Sequence, residues 1–161
     1  MAKPSAARGG FLVVFVRHAK AGSRTAWEGD DRLRPLTSAG RKQANGLVAR
    51  LEGVPLERVF SSPYQRCVET VEPLAHARGL DVEPTESLAE GAGLEAFLEL
   101  VDATARPAAF CAHRDLATDL LNDLVGRKLV KPAAARLEKG STWVLERRRG
   151  RFVSARYLPP P

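Results

Sequence analysis

The sequence predicts an α/β protein: one three-layer α/β/α sandwich around a mainly parallel sheet, closed by a C-terminal antiparallel hairpin. Three observations carry this expectation. Phe11-Leu12-Val13-Val14-Phe15-Val16 is an apolar run without helical spacing, the pattern of a strand buried on both faces, and it stops abruptly at Arg17-His18. Ala108-Ala109-Phe110-Cys111-Ala112 repeats that pattern and stops at His113. Between such runs lie stretches with apolar residues at i, i+3, i+4 and i+7, an alternation that yields parallel strands flanked by helices.

The chain of 161 residues suits one domain with a real core. Hydrophobic residues at 44% and charged residues at 27% exclude a disordered protein. No apolar run has spanning length and no signal peptide or lipidation motif is recognisable, so a cytoplasmic location without membrane association is expected. Cys67 and Cys111 are too few for a disulfide scaffold, and free thiols are expected. A net charge of +6 and a pI near 9.8 favour an anionic partner without naming it.

Residues 1–10, MAKPSAARGG, lack periodicity and read as a disordered arm, which leaves residues 11–158 for the domain. After the first strand comes a long polar loop from Ala19 to about Leu36, of a length that is usually functional or disordered. Thr37 or Ser38 then offers an N-cap, and Ala44, Leu47, Val48 and Leu51 share a helix face that Gly53 ends. Arg58-Val59-Phe60 is a short second strand. Ser61-Ser62-Pro63 reads as a helix start, with Ser at the cap and Pro at the first helical position.

That helix would carry Arg66 in its first turns, where the helix dipole disfavours a cation, so Arg66 is expected to meet an anion. Leu80 to Pro84 is a weak third strand, and Leu94, Phe97, Leu98 and Val101 repeat the helical spacing. A last helix through Leu116, Leu120, Leu121, Leu124 and Val125 takes Asp115 as its expected cap. Ser141–Glu146 and Phe152–Leu158 alternate as a closing hairpin, with Arg147–Arg151 as its solvated tip. The tail Pro159-Pro160-Pro161 cannot join a ladder and is expected to be disordered or extended.

Two strands that deliver Arg-His and His at their ends place those residues where α/β sheets hold ligands, outside the carboxyl ends of the strands. Val16-Arg17-His18-Ala19, Ser61 to Thr70 with Arg66, Leu88-Ala89-Glu90 and Cys111-Ala112-His113, in this order, resemble the histidine phosphatase superfamily, whose fold is phosphoglycerate mutase-like. Arg34-Pro35-Leu36-Thr37 looks like SixA-type phosphohistidine phosphatases. The stretch from Arg17 through Ala44, with Lys139-Gly140-Ser141-Thr142-Trp143, is similar to the histidine phosphatase domain of actinobacterial Nudix-fusion proteins.

The resemblance implies a metal-independent, cofactor-free phosphatase in which His18 forms a covalent phosphohistidine. Arg17, Arg66 and His113 would hold the phosphoryl group, and Glu90 would be the general acid. Ser23, Arg24 and Ser141 are further candidates for binding substrate, each also readable as a turn residue. Arginine suits such a site because its planar fork matches phosphate oxygens and never loses its charge. Little more than one helix separates Glu90 from His113, so an open site is expected, able to admit a phosphorylated small molecule, a nucleotide or a phosphohistidine protein. A catalytically weak phosphate-binding regulatory module is the rival reading. A nucleic-acid partner is not expected, because no helix carries clustered basic residues.

Overall fold

A computed structural model describes residues 9–161; the part of the expected N-terminal arm in residues 1–8 lies outside the described residues. Six strands, β1 (Phe11–Arg17), β2 (Arg58–Ser61), β3 (Val82–Pro84), β4 (Ala108–Ala112), β5 (Thr142–Arg148) and β6 (Arg151–Leu158), form one sheet in the order β3-β2-β4-β1-β5-β6. The first four are parallel, while β5 and β6 run antiparallel. Among the described residues four α-helices cover the sheet: α1 (Ser38–Arg50), α2 (Gln65–Ala77), α3 (Leu94–Thr104) and α4 (Arg114–Gly126).

The period-2 alternation of β1 builds both core layers. Val13 and Phe15 point to the side covered by Phe97 and Val101 of α3 and by Leu116, Leu120 and Leu124 of α4. Val14 and Val16 point to the other side, against Leu47 of α1 and Cys67, Val71 and Leu74 of α2. Since both faces are covered, the strand is apolar throughout, and charge can appear only where it leaves the sheet.

The structure shifts several boundaries. Strand pairing carries β2 through Ser61, which faces Cys111 on one side and Pro84 on the other, so α2 starts only at Gln65, with Tyr64 as N-cap. Ser62 therefore caps nothing, and Pro63 precedes the helix. At α4 the error is the reverse: the helix opens at Arg114 with His113 as N-cap. The Asp115 carboxylate instead accepts the Gly91 N–H at 2.7 Å.

Arg147 does not belong to a solvated tip. It lies in β5, 6% exposed, where its Nε and Nη2 bind the two oxygens of Asp102 at 3.0 and 2.9 Å. The turn proper is Arg149-Gly150, both at positive φ, as a tight two-residue hairpin requires. The C-terminal prolines lie against α1: Arg50 Nη2 donates to the Pro160 carbonyl at 3.2 Å, and Pro161 sits over Gly46.

Helix α1 is docked through its first turn. Thr37 Oγ1 accepts the Gly40 N–H at 3.0 Å, and the Lys20 carbonyl accepts the Thr37 N–H at 3.0 Å. A Cβ on Gly40 would stand 1.9 Å from that carbonyl oxygen. Gly40→Ala should therefore cost about 1–3 kcal/mol by overpacking and displace the segment just after His18. Urea denaturation and turnover should fall together; an unchanged midpoint would refute the close approach.

Candidate active site

Strand register brings the two histidines together. Arg17 pairs with Ala112 across β1 and β4, so the next residue of each parallel strand, His18 and His113, emerges side by side at the carboxyl edge. Their ring centroids are 5.5 Å apart. Arg66 reaches the same place from the first turn of α2, and Glu90 from the loop before α3, with 3.8 Å between Arg66 Nη2 and Glu90 Oε1. His18, His113, Arg66 and Glu90 are thus neighbours at this edge, beside Arg17 at the end of β1.

The protonation of His18 follows from its contacts. Its Nδ1 lies 2.8 Å from the Ala19 carbonyl oxygen, which can only accept, so the ring proton sits on Nδ1 and Nε2 keeps a free lone pair. Burial drives the pKa from 6.5 to about 3; the Ala19 hydrogen bond opposes this, while His113, Arg66 and Arg17 add to it by repelling a charged ring. The imidazole is thus neutral in the free protein at ordinary pH.

His113 is buried, with Nε2 2.8 Å from Ser62 Oγ. Ser62 Oγ also accepts the Tyr64 N–H at 3.2 Å and retains its own proton for His113. That arrangement supports the tautomer with hydrogen on Nδ1, a donor even in a neutral ring.

Five buried side-chain polar atoms have no partner among the described residues, and three of them are Arg17 Nε, Arg66 Nε and His113 Nδ1. Buried donors are rarely left unmade, so a cluster of them in one place marks where an anion binds. Arg17 spends Nη1 on the Leu137 carbonyl at 2.8 Å. Arg66, fully buried, meets an anion as expected, but that anion is Asp31: Nη1 binds its carbonyl and Nη2 its carboxylate, at 2.9 and 3.1 Å. Arg24, exposed, bridges to Glu90 Oε2 at 3.0 Å.

Arg17, His18, Arg24, Glu90 and His113 line an open cleft of about 700 Å³, and the fully buried Arg66 is not part of its lining. Ser23 lines it too, while its hydroxyl makes a local turn with Thr25. Ser141 does not line it; buried behind β1, it accepts the Arg17 N–H through its carbonyl at 3.1 Å. A larger groove, about 990 Å³, runs beside α1 and α2 but contains none of the five converging residues.

Sequence reasoning missed Asp31, Arg34, Ser62 and Thr70. Asp31 and Arg34 lie in the long loop, where length was the signal for Asp31 and the SixA-like Arg34-Pro35-Leu36-Thr37 gave Arg34 no role of its own. Thr70 Oγ1 accepts the Ala19 N–H at 2.9 Å and donates to the Arg66 carbonyl at 2.7 Å, a tie between loop and helix that no spacing reveals.

A profile of the histidine phosphatase superfamily (branch 1) matches residues 13–95, more than half of the chain. The chain belongs to this superfamily. It is 35% identical over 156 residues to the 8-oxo-(d)GTP phosphatase of Mycolicibacterium smegmatis, covering 92% of its own length and 48% of that protein. It thus spans about half the length of this curated relative. The structure of SixA, a phosphohistidine phosphatase by name, from Agrobacterium tumefaciens superposes with a TM-score of 0.78 at 24% identity, covering 93% of this chain and 98% of that one. A SixA solved with tungstate superposes at 0.68 and 18% identity, covering 92% and 94%. By family this chain is a phosphatase, a hydrolase. Its fold is phosphoglycerate mutase-like, as the motifs implied. Among the described residues no helix is long and apolar enough to cross a membrane.

The depressed His18 pKa fixes a pH dependence. A group with folded pKa near 3 and an ordinary unfolded value of 6.5 contributes stability that is complete above pH 6.5 and lost as pH falls towards 3. NMR of the imidazole should show His18 neutral at pH 5, and His18→Gln should flatten the acid limb of stability. A ring that charges near pH 6.5 would overturn the assignment.

Proposed function

We propose that this chain removes phosphoryl groups through a covalent phosphohistidine on His18. The observation that carries the reading is the fixed tautomer: Nδ1–H is held by the Ala19 carbonyl, so the Nε2 lone pair is directed outward by default beside three buried, unpartnered nitrogen donors. A neutral imidazole is the nucleophile such chemistry needs, since it approaches a phosphate dianion without like-charge repulsion.

In the first step Nε2 forms a bond to phosphorus and the bond from phosphorus to the leaving oxygen breaks. Arg17, Arg66 and the Nδ1–H of His113 bind the equatorial oxygens, where the transition-state charge lies. Glu90 gives the leaving oxygen its proton. In the second step Glu90 takes a proton from water, the water oxygen attacks phosphorus, and the P–N bond breaks to restore His18. The positive charge comes from guanidinium groups, so the reading requires neither metal nor cofactor.

The open cleft suits a phosphoryl group presented on a protein histidine, which the SixA structural likeness favours, or on a small molecule. The 35% identity to a protein named for an oxidised guanine nucleotide favours the second, a nucleotide. Ser23 and Arg24, at the cleft mouth, would contact the substrate beyond its phosphoryl group. Ser141 is proposed to act only by placing Arg17. A cytoplasmic location is part of the proposal.

Rapid denaturation during turnover should trap an acid-labile, base-stable phosphoryl group on His18, and His18→Ala should abolish both label and turnover. Glu90→Gln should cost about 10²–10⁴-fold with an alkyl phosphate, whose leaving group needs a proton, and far less with p-nitrophenyl phosphate. Equal losses would remove Glu90 from the acid role. Turnover should survive EDTA; dependence on an added divalent ion would refute the mechanism.

A further inference from the structure

The cleft continues past the groups that the proposed chemistry uses, and cations line the continuation. Lys139 and Arg114 are exposed on it, and neither side chain has a hydrogen bond or ion pair among the described residues. Both are held by the backbone of the site itself. The Gly140 N–H donates to the carbonyls of Arg17 and His18, both at 3.1 Å, and so anchors Lys139 beside the end of β1. Arg114 follows His113 directly as the first residue of α4.

Arg34 is a third, built-in cation on this wall. It is 6% exposed, with Nε on Asp31 at 2.9 Å and Nη1 on the Gly22 carbonyl at 2.6 Å, while Nη2 makes no hydrogen bond. The groups repel one another. Burial first, then Arg17, Arg34, Lys20 and Arg114, push Lys139 below its ordinary pKa, and burial and then Arg114 do the same to Arg17. Like charges gathered together destabilise the fold and are stabilised by an anion that settles among them; Asp31 pairs with Arg34, while Lys139 and Arg114 have no ion pair among the described residues. Asp115 and Asp119, on the same helix as Arg114, also line the cleft, and Asp115 is engaged by the Gly91 N–H.

We propose that Lys139, Arg114 and Arg34 form a second anion subsite, and that it holds the next phosphoryl group of a phosphoanhydride whose terminal phosphoryl group meets His18. The substrate class is then a nucleoside diphosphate or triphosphate, and this step rests on the phosphohistidine reading above. A phosphohistidine peptide presents one dianion and leaves Lys139 and Arg114 unmatched. In the reaction Nε2 bonds to the terminal phosphorus, and the bridging P–O bond breaks. The electron pair leaves with the shortened nucleotide, and water later releases orthophosphate from His18.

The test uses p-nitrophenyl phosphate turnover as reporter, with inorganic pyrophosphate and orthophosphate as competing inhibitors. The unaltered protein should bind pyrophosphate at least about 10-fold more tightly than orthophosphate, the scale of one charge-assisted hydrogen bond. In the Lys139→Ala/Arg114→Ala double variant, whose replaced side chains are both exposed, that preference should fall about 10-fold. The ratio of kcat/KM for a nucleoside diphosphate to that for p-nitrophenyl phosphate should fall with it. Equal affinity for the two anions in the unaltered protein, or a preference kept in the variant, would overturn the subsite. Failure to trap a phosphoryl group on His18 would instead strike the mechanism, because the anion preference is read from binding alone.

Discussion

The backbone clamp on Arg17-His18-Ala19 is the constraint on which the site depends. The Arg17 N–H donates to Ser141 O, the His18 N–H to Ala112 O and the Ala19 N–H to Thr70 Oγ1, while Gly140 N–H reaches back to two carbonyls of the same segment. Each peptide is planar, so pinning consecutive peptide groups leaves little freedom in the dihedrals that aim the side chains. The clamp draws on β4, the turn just before β5 and α2 at once. It also satisfies polar backbone groups that burial would otherwise leave costly, so folding and positioning use the same bonds.

Electrostatics supplies the second constraint, because a fully buried guanidinium without a partner would be expensive. Asp31 is the partner of Arg66 and also of Arg34. Burial alone would raise the Asp31 carboxyl, but hydrogen bonds from Arg34 and Arg66 and their charges hold it below its ordinary value. One carboxylate cannot neutralise the whole cluster. The surplus is left on the cleft wall at Arg17, Lys139 and Arg114, where charge can act on a ligand.

Much of this was legible because β1 and β4 are buried on both faces: an unbroken apolar run that ends in Arg-His or His marks a sheet edge without any knowledge of the neighbours. Arg66 was legible as a cation at the wrong end of a helix. Its partner was not, since Asp31 is 35 residues away in a loop without periodicity. Helix starts failed where side chains had other work. Ser62 looked like a cap but holds His113, and Asp115 looked like a cap but holds the Gly91 N–H. Arg147 hid in a run of arginines because nothing local signals its pairing with Asp102. The proline tail was read by what it cannot donate, and its contact with α1 depends on the empty space above Gly46.

In the proposed mechanism a phosphoryl group entering the cleft competes with carboxylates already there, and the two ion pairs it meets, Arg24–Glu90 on the cleft wall and the buried Arg66 with Asp31, are unequal. Arg24 and Glu90 have side chains 60% and 34% exposed, so their bond, screened by water, is worth roughly 0–1 kcal/mol. Arg66 is 0% exposed, and losing Asp31 would strand a buried charge, a far larger cost. In the mechanism proposed above, arrival of substrate would break the Arg24–Glu90 contact first and leave Arg66–Asp31 in place. Arg66 would then meet the phosphoryl group through Nε, the nitrogen that Asp31 does not use, while Glu90 would exchange Arg24 for the leaving oxygen and keep Arg66 Nη2 3.8 Å away.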